Sequence, residues 1–528
     1  MSRSEAADDD GPNRARLSAA PDHDRKPDPS GEAPRTHAQI RAIVVGIMLA
    51  MFLAALNQTI VATALPTMGR DFDDFENLSW IVTAYLLTST AVAPLYGKFS
   101  DIYGRRAMMM TGIGIFMLGS LMCAVAPSML VLILGRGLQG IGGGGILPIA
   151  QSILADVIAP RARGRWQAYM GSVWVSAGAL GPVLGGVLSQ HGHWSLVFWV
   201  NLPVGIAAAV MTHRRLGGLP RHARPHRLDL IGAVLMMAAA IPLLLALTWG
   251  GARYPWTSPV IVGLIALSGV LTVLFSWRLT RAAEPFLPLE VMANPIMRWG
   301  TAATSFAMGT SIGLTIFVPL YYEVVHKLSA TESGLAMIPI VALTTPGSIM
   351  SGRAMMYLKH YKWVPLVGLT LGIVATLALA WHPRMPLNSV IGLLTISAMA
   401  IGTVYPVATV SIQNAMARHQ VGVAMGAMNF FRSLGSALIV AVMGAIILAY
   451  LGAAPERGMG TGSLGSFAAS LGIDLADVFR WVFVFAAICL GLSFVSIAAM
   501  EERPLRTTTT PTPATTLAAD PGAATPAG

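Results

Sequence analysis

Arg136 and Arg432 each stand deep inside a long run of apolar side chains, and their presence there has to be explained first. A guanidinium stays charged at every physiological pH and presents five donors, so it must find carbonyls, amides or an anion where water is scarce. Amides occur in the same kind of surroundings at Asn57, Gln58, Gln139, Gln413, Asn414 and Asn429. They could satisfy the arginines, hydrogen-bond one helix to another, or contact a small polar solute. By contrast, no Asp, Glu, His or Lys lies well inside these runs; Asp156, Asp229 and Glu323 stand at their ends. Glu323 remains a candidate proton or cation site, or simply a residue at a polar boundary. No nucleophile with a base, no paired carboxylates and no cluster of metal ligands converge, so the chemistry to expect is binding without bond making. Cys123 and Cys489 both fall in apolar runs and frame neither a disulfide scaffold nor a zinc site; no metal and no cofactor are expected.

The elements that hold these residues follow from composition. Of 528 residues only 11% are charged and 54% are hydrophobic, with a mean hydropathy of +0.63. Soluble domains carry roughly 25% charged residues, so an all-α polytopic membrane protein is expected. Fourteen apolar stretches have spanning length, at about 40–65, 78–97, 107–125, 129–155, 166–189, 195–213, 229–249, 259–277, 299–322, 334–356, 363–381, 388–412, 422–450 and 478–499. Glycine and proline inside them (Gly142 to Gly145, Pro94, Pro182, Pro406) are ordinary where neighbouring helices re-satisfy the backbone. A faint repeat pairs Gly97 with Gly352 at an offset of 255 and Gly181 with Gly435 at 254. The expected organisation is a tail at 1–39, six helices at 40–213, a linker with two extra helices at 214–298, six helices at 299–500 and a tail at 501–528.

Charge sets the expected orientation. Eighteen Lys and Arg fall in the even-numbered connections and six in the odd-numbered ones, which puts the even connections and both termini in the cytoplasm of an inner or plasma membrane. The net charge of +10 is read as these loops and not as a nucleic-acid surface. Both tails are polar and rich in Pro, Thr or Ala, and are expected to be disordered. No short apolar core with a small-residue cleavage site precedes the first stretch, so no cleaved signal peptide is expected. By depth, Arg432 lies ten residues into its stretch, about 15 Å from the cytoplasmic end.

Particular segments sharpen this. The connection after the second stretch runs Gly97, Lys98, Phe99, Ser100, Asp101, Ile102, Tyr103, Gly104, Arg105, Arg106. Glycines suit a short turn, and Asp101 stands where it can bond a helix N-terminus or pair with an arginine. The fourth stretch carries Arg136 and Gln139 between glycines, and the fifth carries Gly181, Pro182, Gly185 and Gly186. With the segments 56–66, 198–203, 430–435 and 502–506, this ordered set resembles the major facilitator superfamily, in its fourteen-helix drug/proton antiporter branch of the EmrB/QacA kind, from about residue 40 to 506. The resemblance implies two six-helix halves plus two extra central helices, with the site near the midplane. It implies that Asp101, with Arg105 and Arg106, latches the halves in one conformation. It also implies that the Gly181-Pro182 element belongs to antiporters, its flat face letting helices of the two halves pack closely.

One residue departs from the pattern. The family usually has an aspartate where this chain has Asn57, beside the helix-4 arginine. Asn57 and Arg136 lie about 13 and 10 Å from the outer ends of their stretches, so the two are expected to meet at one level. With both arginines facing it, the cavity should carry a formal charge of +2 and favour neutral, zwitterionic or acidic substrates, unless carbonyls and amides occupy both guanidiniums. Trp174 could stack on an aromatic substrate or serve packing. The expected function is secondary active export of small amphiphilic compounds by alternating access, driven by proton antiport, with no enzymatic activity. An uptake permease or a dedicated metabolite exporter of the same fold is the alternative, a non-transporting membrane sensor a more distant one. The partners implied are a small-molecule substrate, protons and the lipid bilayer; the sequence names no adaptor protein and no nucleic acid.

Overall fold

The computed structural model describes residues 37–216, 229–251, 253–451 and 475–505. The two tails expected to be disordered fall almost wholly outside the described residues, as do Arg221, Arg224, Arg227, Arg457 and Arg506 of the charge reading.

Fourteen helical spans are long and apolar enough to cross a membrane. The first six spans run α1 (His37–Asp71), α2 (Leu78–Tyr103), α3 (Arg105–Ala124), α4 (Met129–Gly143) with α5 (Ile146–Val157), α6 (Pro160–His191), and α7 (Leu196–Trp199) with α8 (Asn201–Arg215). The extra pair is α9 (Leu230–Trp249) and α10 (Pro259–Arg281), followed by the short α11 (Leu289–Ala293). The last six are α12 (Pro295–Val325), α13 (Ala330–Tyr357), α14 (Trp363–Trp381), α15 (Leu387–Ala415), α16 (Val421–Leu451) and α17 (Leu475–Ala499). No strand occurs among the described residues, whose one bridge pairs Gly250 with Tyr254.

Local chemistry sets the ends. Ser128, Asp229, Ser258 and Asn294 each accept a hydrogen bond from a first-turn backbone N–H, and Ser329 with Glu332 closes a capping box. Pro160, Pro259 and Pro295 sit in first turns, where a missing N–H costs nothing. Several helices outrun the apolar stretches, because helical hydrogen bonding continues past the hydrocarbon: α1 adds residues on both sides of the expected 40–65. The fourth span is interrupted at Gly144 and Gly145, which lie against Ser89 and the ring of Tyr96.

Two helix pairs make the most extensive contacts between the halves. α2 packs along α16, and α6 packs along α13. At the first crossing Gly97 meets the Gly422 backbone, and at the second Gly352 meets Gly164; a Cβ at either would overlap the facing carbonyl oxygen. The glycines separated by 255 residues thus both mark crossings between halves. The expectation for Gly181 and Gly185 is corrected here. They face Thr59, Ile60 and Thr63 of α1, within the first half. The i, i+4 spacing gives α6 one small-residue face, and α1 occupies it. Pro182 is exposed, and Gly186 has no neighbour that a Cβ would meet.

The extra pair sits to one side. α9 packs against α2, α16 and α10. Trp249 at its end meets Trp80 of α2 edge to face, with ring centroids 5.3 Å apart. α10 presents Val262, Leu267, Val270, Val273 and Trp277 outward, as a lipid-facing helix should.

Candidate functional site

A cavity of about 1110 Å³ lies between the halves. α1, α2, α4, α5 and α6 form one wall, α12 and α16 the other, and Leu244, Leu247 and Thr248 of α9 complete it. Its upper part reaches Gly250, Gly251, Ile447 and Leu448, next to odd connections. The lining is mostly apolar, with a band of polar groups from Gln58, Thr83, Tyr85, Asn429, Arg432, Ser433 and Ser436. Trp174 projects into it and is 38% exposed. Arg432 is the one charged side chain in the lining, which holds no Asp, Glu, His or Lys.

Arg136 does not line this cavity, which corrects the expected charge of +2. It is 2% exposed, behind Tyr85, whose ring lies 4.5 Å from the guanidinium carbon. Its Nε donates to the Ile81 carbonyl at 2.9 Å and its Nη1 to Gln139 Oε1 at 2.5 Å. Gln139 Nε2 then donates to Ser120 Oγ at 2.5 Å. Asn201 Nδ2 reaches both Ser120 Oγ, at 3.2 Å, and Asn57 Oδ1, at 3.1 Å. Asn57 and Arg136 therefore do not pair directly; they are the ends of one chain of side chains within the wall. An asparagine supplies only a weak neutral acceptor, so Arg136 turns to a backbone carbonyl and an amide on its own helix face. Of the residues expected together, Gln58 reaches the cavity beside Tyr85, while Asn57 and Gln139 stay fully buried.

Below the cavity a second polar set joins the halves. Arg432 Nη2 donates to Asn429 Oδ1 at 2.5 Å, and Asn429 Nδ2 donates to Gln151 Oε1 of α5 at 2.7 Å. Gln413 Nε2 donates to the Gln151 carbonyl at 3.1 Å. Asn414 is elsewhere, donating to the Pro504 carbonyl at 3.2 Å. Glu323 is half-buried near the end of α12 and does not line the cavity.

The end marked by the even connections is shut. Asp101 accepts hydrogen bonds from the backbone N–H groups of the second and third residues of α16, Gly422 at 3.1 Å and Val423 at 2.8 Å. Arg105 pairs with Asp101 at 2.5 Å and with Asp156 of α5 at 3.0 Å. Gly104 supplies the turn at φ 94°, which L side chains rarely adopt. Arg106 reaches outward to His213 at 3.0 Å. Arg161 of α6 donates to the Met356 carbonyl of α13 at 3.0 Å, a second tie between halves.

Sequence reasoning missed Ser120, Gln151 and Asn201. Each is a polar residue in an apolar run, 4% exposed or less. Gln151 carried the clearest signal, as an amide five residues before Asp156 on the helix that continues the Arg136 span.

A bundle of helices long and apolar enough to span a membrane, with a mostly apolar cavity between its two halves, is the architecture of a transporter of small solutes. Residues 47–440 match the Major Facilitator Superfamily, and the chain belongs to that family, one of transporters and not enzymes. It is 33% identical over 415 residues to the multidrug transporter protein MdtP of Bacillus subtilis (strain 168), covering 78% of this chain and 76% of that protein. It is 31% identical over 455 residues to the efflux pump FUS6 of Gibberella moniliformis (strain M3125 / FGSC 7600), covering 82% and 78%. Among solved structures it is similar to the human organic anion transporter MFSD10 (TETRAN), with a TM-score of 0.59 and 17% identity over 85% of this chain and 99% of that one; that likeness concerns the fold alone.

Proposed function

We propose that the protein exports small amphiphilic compounds, drug-like molecules or metabolites, from the cytoplasm by alternating access. The observation that carries this reading is the cavity itself: about 1110 Å³ of mostly apolar wall with one polar band, between halves that are clasped at one end. That volume suits a multi-ring solute. The even connections face the cytoplasm in this reading, because eighteen basic residues lie there against six. The clasp of Asp101 on α16 is then the cytoplasmic gate in its shut position, and export is the release of substrate to the other side. The relatives named as multidrug transporters and efflux pumps support the direction.

Proton antiport is the energy source we propose. Since the cavity lining holds no titratable acid, the exchanged proton must reside elsewhere on the protein, with Glu323 as the candidate, or on the substrate. The test is uptake of a fluorescent amphiphile into inverted and right-side-out vesicles under an imposed proton gradient. Accumulation in inverted vesicles that an uncoupler abolishes is expected. Accumulation only in right-side-out vesicles would make the protein an uptake permease.

A further inference from the structure

We infer that Arg432 is an anion subsite, and that the preferred substrates are apolar molecules bearing one carboxylate, sulfonate or phenolate. The inference deepens the export reading and rests on it. Arg432 is the only formal charge in the cavity lining among the described residues. Its recorded partner is a neutral amide, Asn429 Oδ1 at 2.5 Å, while its Nε is buried and makes no hydrogen bond among the described residues. The other interior arginines are treated differently. Arg136 is satisfied by a carbonyl, an amide and an aromatic face, and Arg105 by two carboxylates. Asp101 and Asp156 are both committed to Arg105 at the closed end, and Asp229 to Arg278.

A guanidinium exposed to a cavity in hydrocarbon surroundings, with one neutral acceptor, has strong bonding capacity to spare. A carboxylate or sulfonate can bridge its fork, and the Ser433 hydroxyl beside it and the Gln58 amide elsewhere in the lining offer further donors. Trp174, Phe317 and Leu448 line the space for an apolar body. A permanent cation meets the opposite situation: a positive field and no lining carboxylate to offset it.

The test is equilibrium binding to the full chain in lipid nanodiscs of three radiolabelled probes of similar size: 1-naphthylacetate, its isostere 1-naphthylacetamide, and (1-naphthylmethyl)trimethylammonium. The acetate is expected to bind at least tenfold tighter than the amide, and the cation weakest. Arg432→Gln should remove the acetate's advantage while leaving the amide within twofold, and Arg432→Lys should keep part of it. Ser436→Asp, one helical turn from Arg432, should neutralise the subsite and raise cation binding above that of the acetate; it serves if Arg432→Gln fails to fold. Cation binding equal to the acetate's in the wild type, or an acid preference that survives Arg432→Gln or Ser436→Asp, overturns the inference. Vesicle export of the amide and the cation without acid preference would overturn the subsite alone and leave the export reading standing.

Discussion

Replacing Asp101 with alanine should unclasp the closed end. Two of its contacts depend on conformation, the hydrogen bonds from Gly422 and Val423 on the opposite half, at 3.1 and 2.8 Å. The Arg105 pair is local to the first half and survives in either state. A hydrogen bond to a charged acceptor contributes about 1.5–3 kcal/mol, so two at the lower figure are worth about 3 kcal/mol. At 1.4 kcal/mol per decade that is roughly a hundredfold shift of the closed-to-open equilibrium at this end. Spin labels at Tyr103→Cys and Lys359→Cys, exposed positions on the two halves, would report it as a distance distribution. The wild type should give one short peak and Asp101→Ala a dominant longer one, with turnover slowed far more than substrate binding is weakened. An unchanged distribution, or lost binding with normal turnover per bound substrate, would refute the reasoning and move Asp101 into the substrate site.

Gly97→Val should displace the same spin-label distances, because its side chain would meet the Gly422 carbonyl; a wild-type distribution would show that the crossing can yield. Ser120→Ala withdraws the acceptor of both Gln139 and Asn201, an orphaning worth about 1–3 kcal/mol, and should lower the melting temperature by at least about 2 °C, read from tryptophan fluorescence. Asn57→Asp puts a buried carboxylate at the far end of the Arg136 chain, so vesicle transport should become steeply pH-dependent between about pH 6 and 8; a flat profile would mean that coupling lies elsewhere. With no titratable acid, histidine or lysine in the lining, wild-type binding of 1-naphthylacetamide should stay within twofold over the same range, and a steep change would point to a titrating group inside the cavity.

The number of spans was legible in the sequence and the azimuth of their side chains was not. Span number follows from hydropathy and length, since nothing but apolar side chains tolerates hydrocarbon, and all fourteen appear as helices. Asp101 could be read as a partner for a helix N-terminus or an arginine because a short turn leaves it few options, and it does both. Arg136 and Arg432 are both interior arginines, yet one is sealed in a wall and the other lines the cavity. In a bundle surrounded by lipid the hydrophobic period carries little signal, because the outer face is as apolar as the packed one. Which face a residue presents then depends on neighbours distant in sequence, such as Ile81 and Tyr85 for Arg136. The same blindness hid the small-residue face of α6, whose glycines proved to serve α1.

The placement of α9 has a consequence for where cargo can come from. It lies across the seam between α2 and α16, touching one helix of each half, with three of its side chains in the cavity wall. Uncovered, this seam would face the acyl chains, a side door through which a lipid-dissolved solute could slip when the halves part. Here the doorway is panelled over, and α10 stands outside the panel in the bilayer. Traffic between the membrane leaflet and the cavity on this flank would have to displace a whole helix. Any rocking of the halves would also carry α9 along with one partner while it slides on the other, and the edge-to-face stack of Trp80 on Trp249 is one contact that holds it to α2.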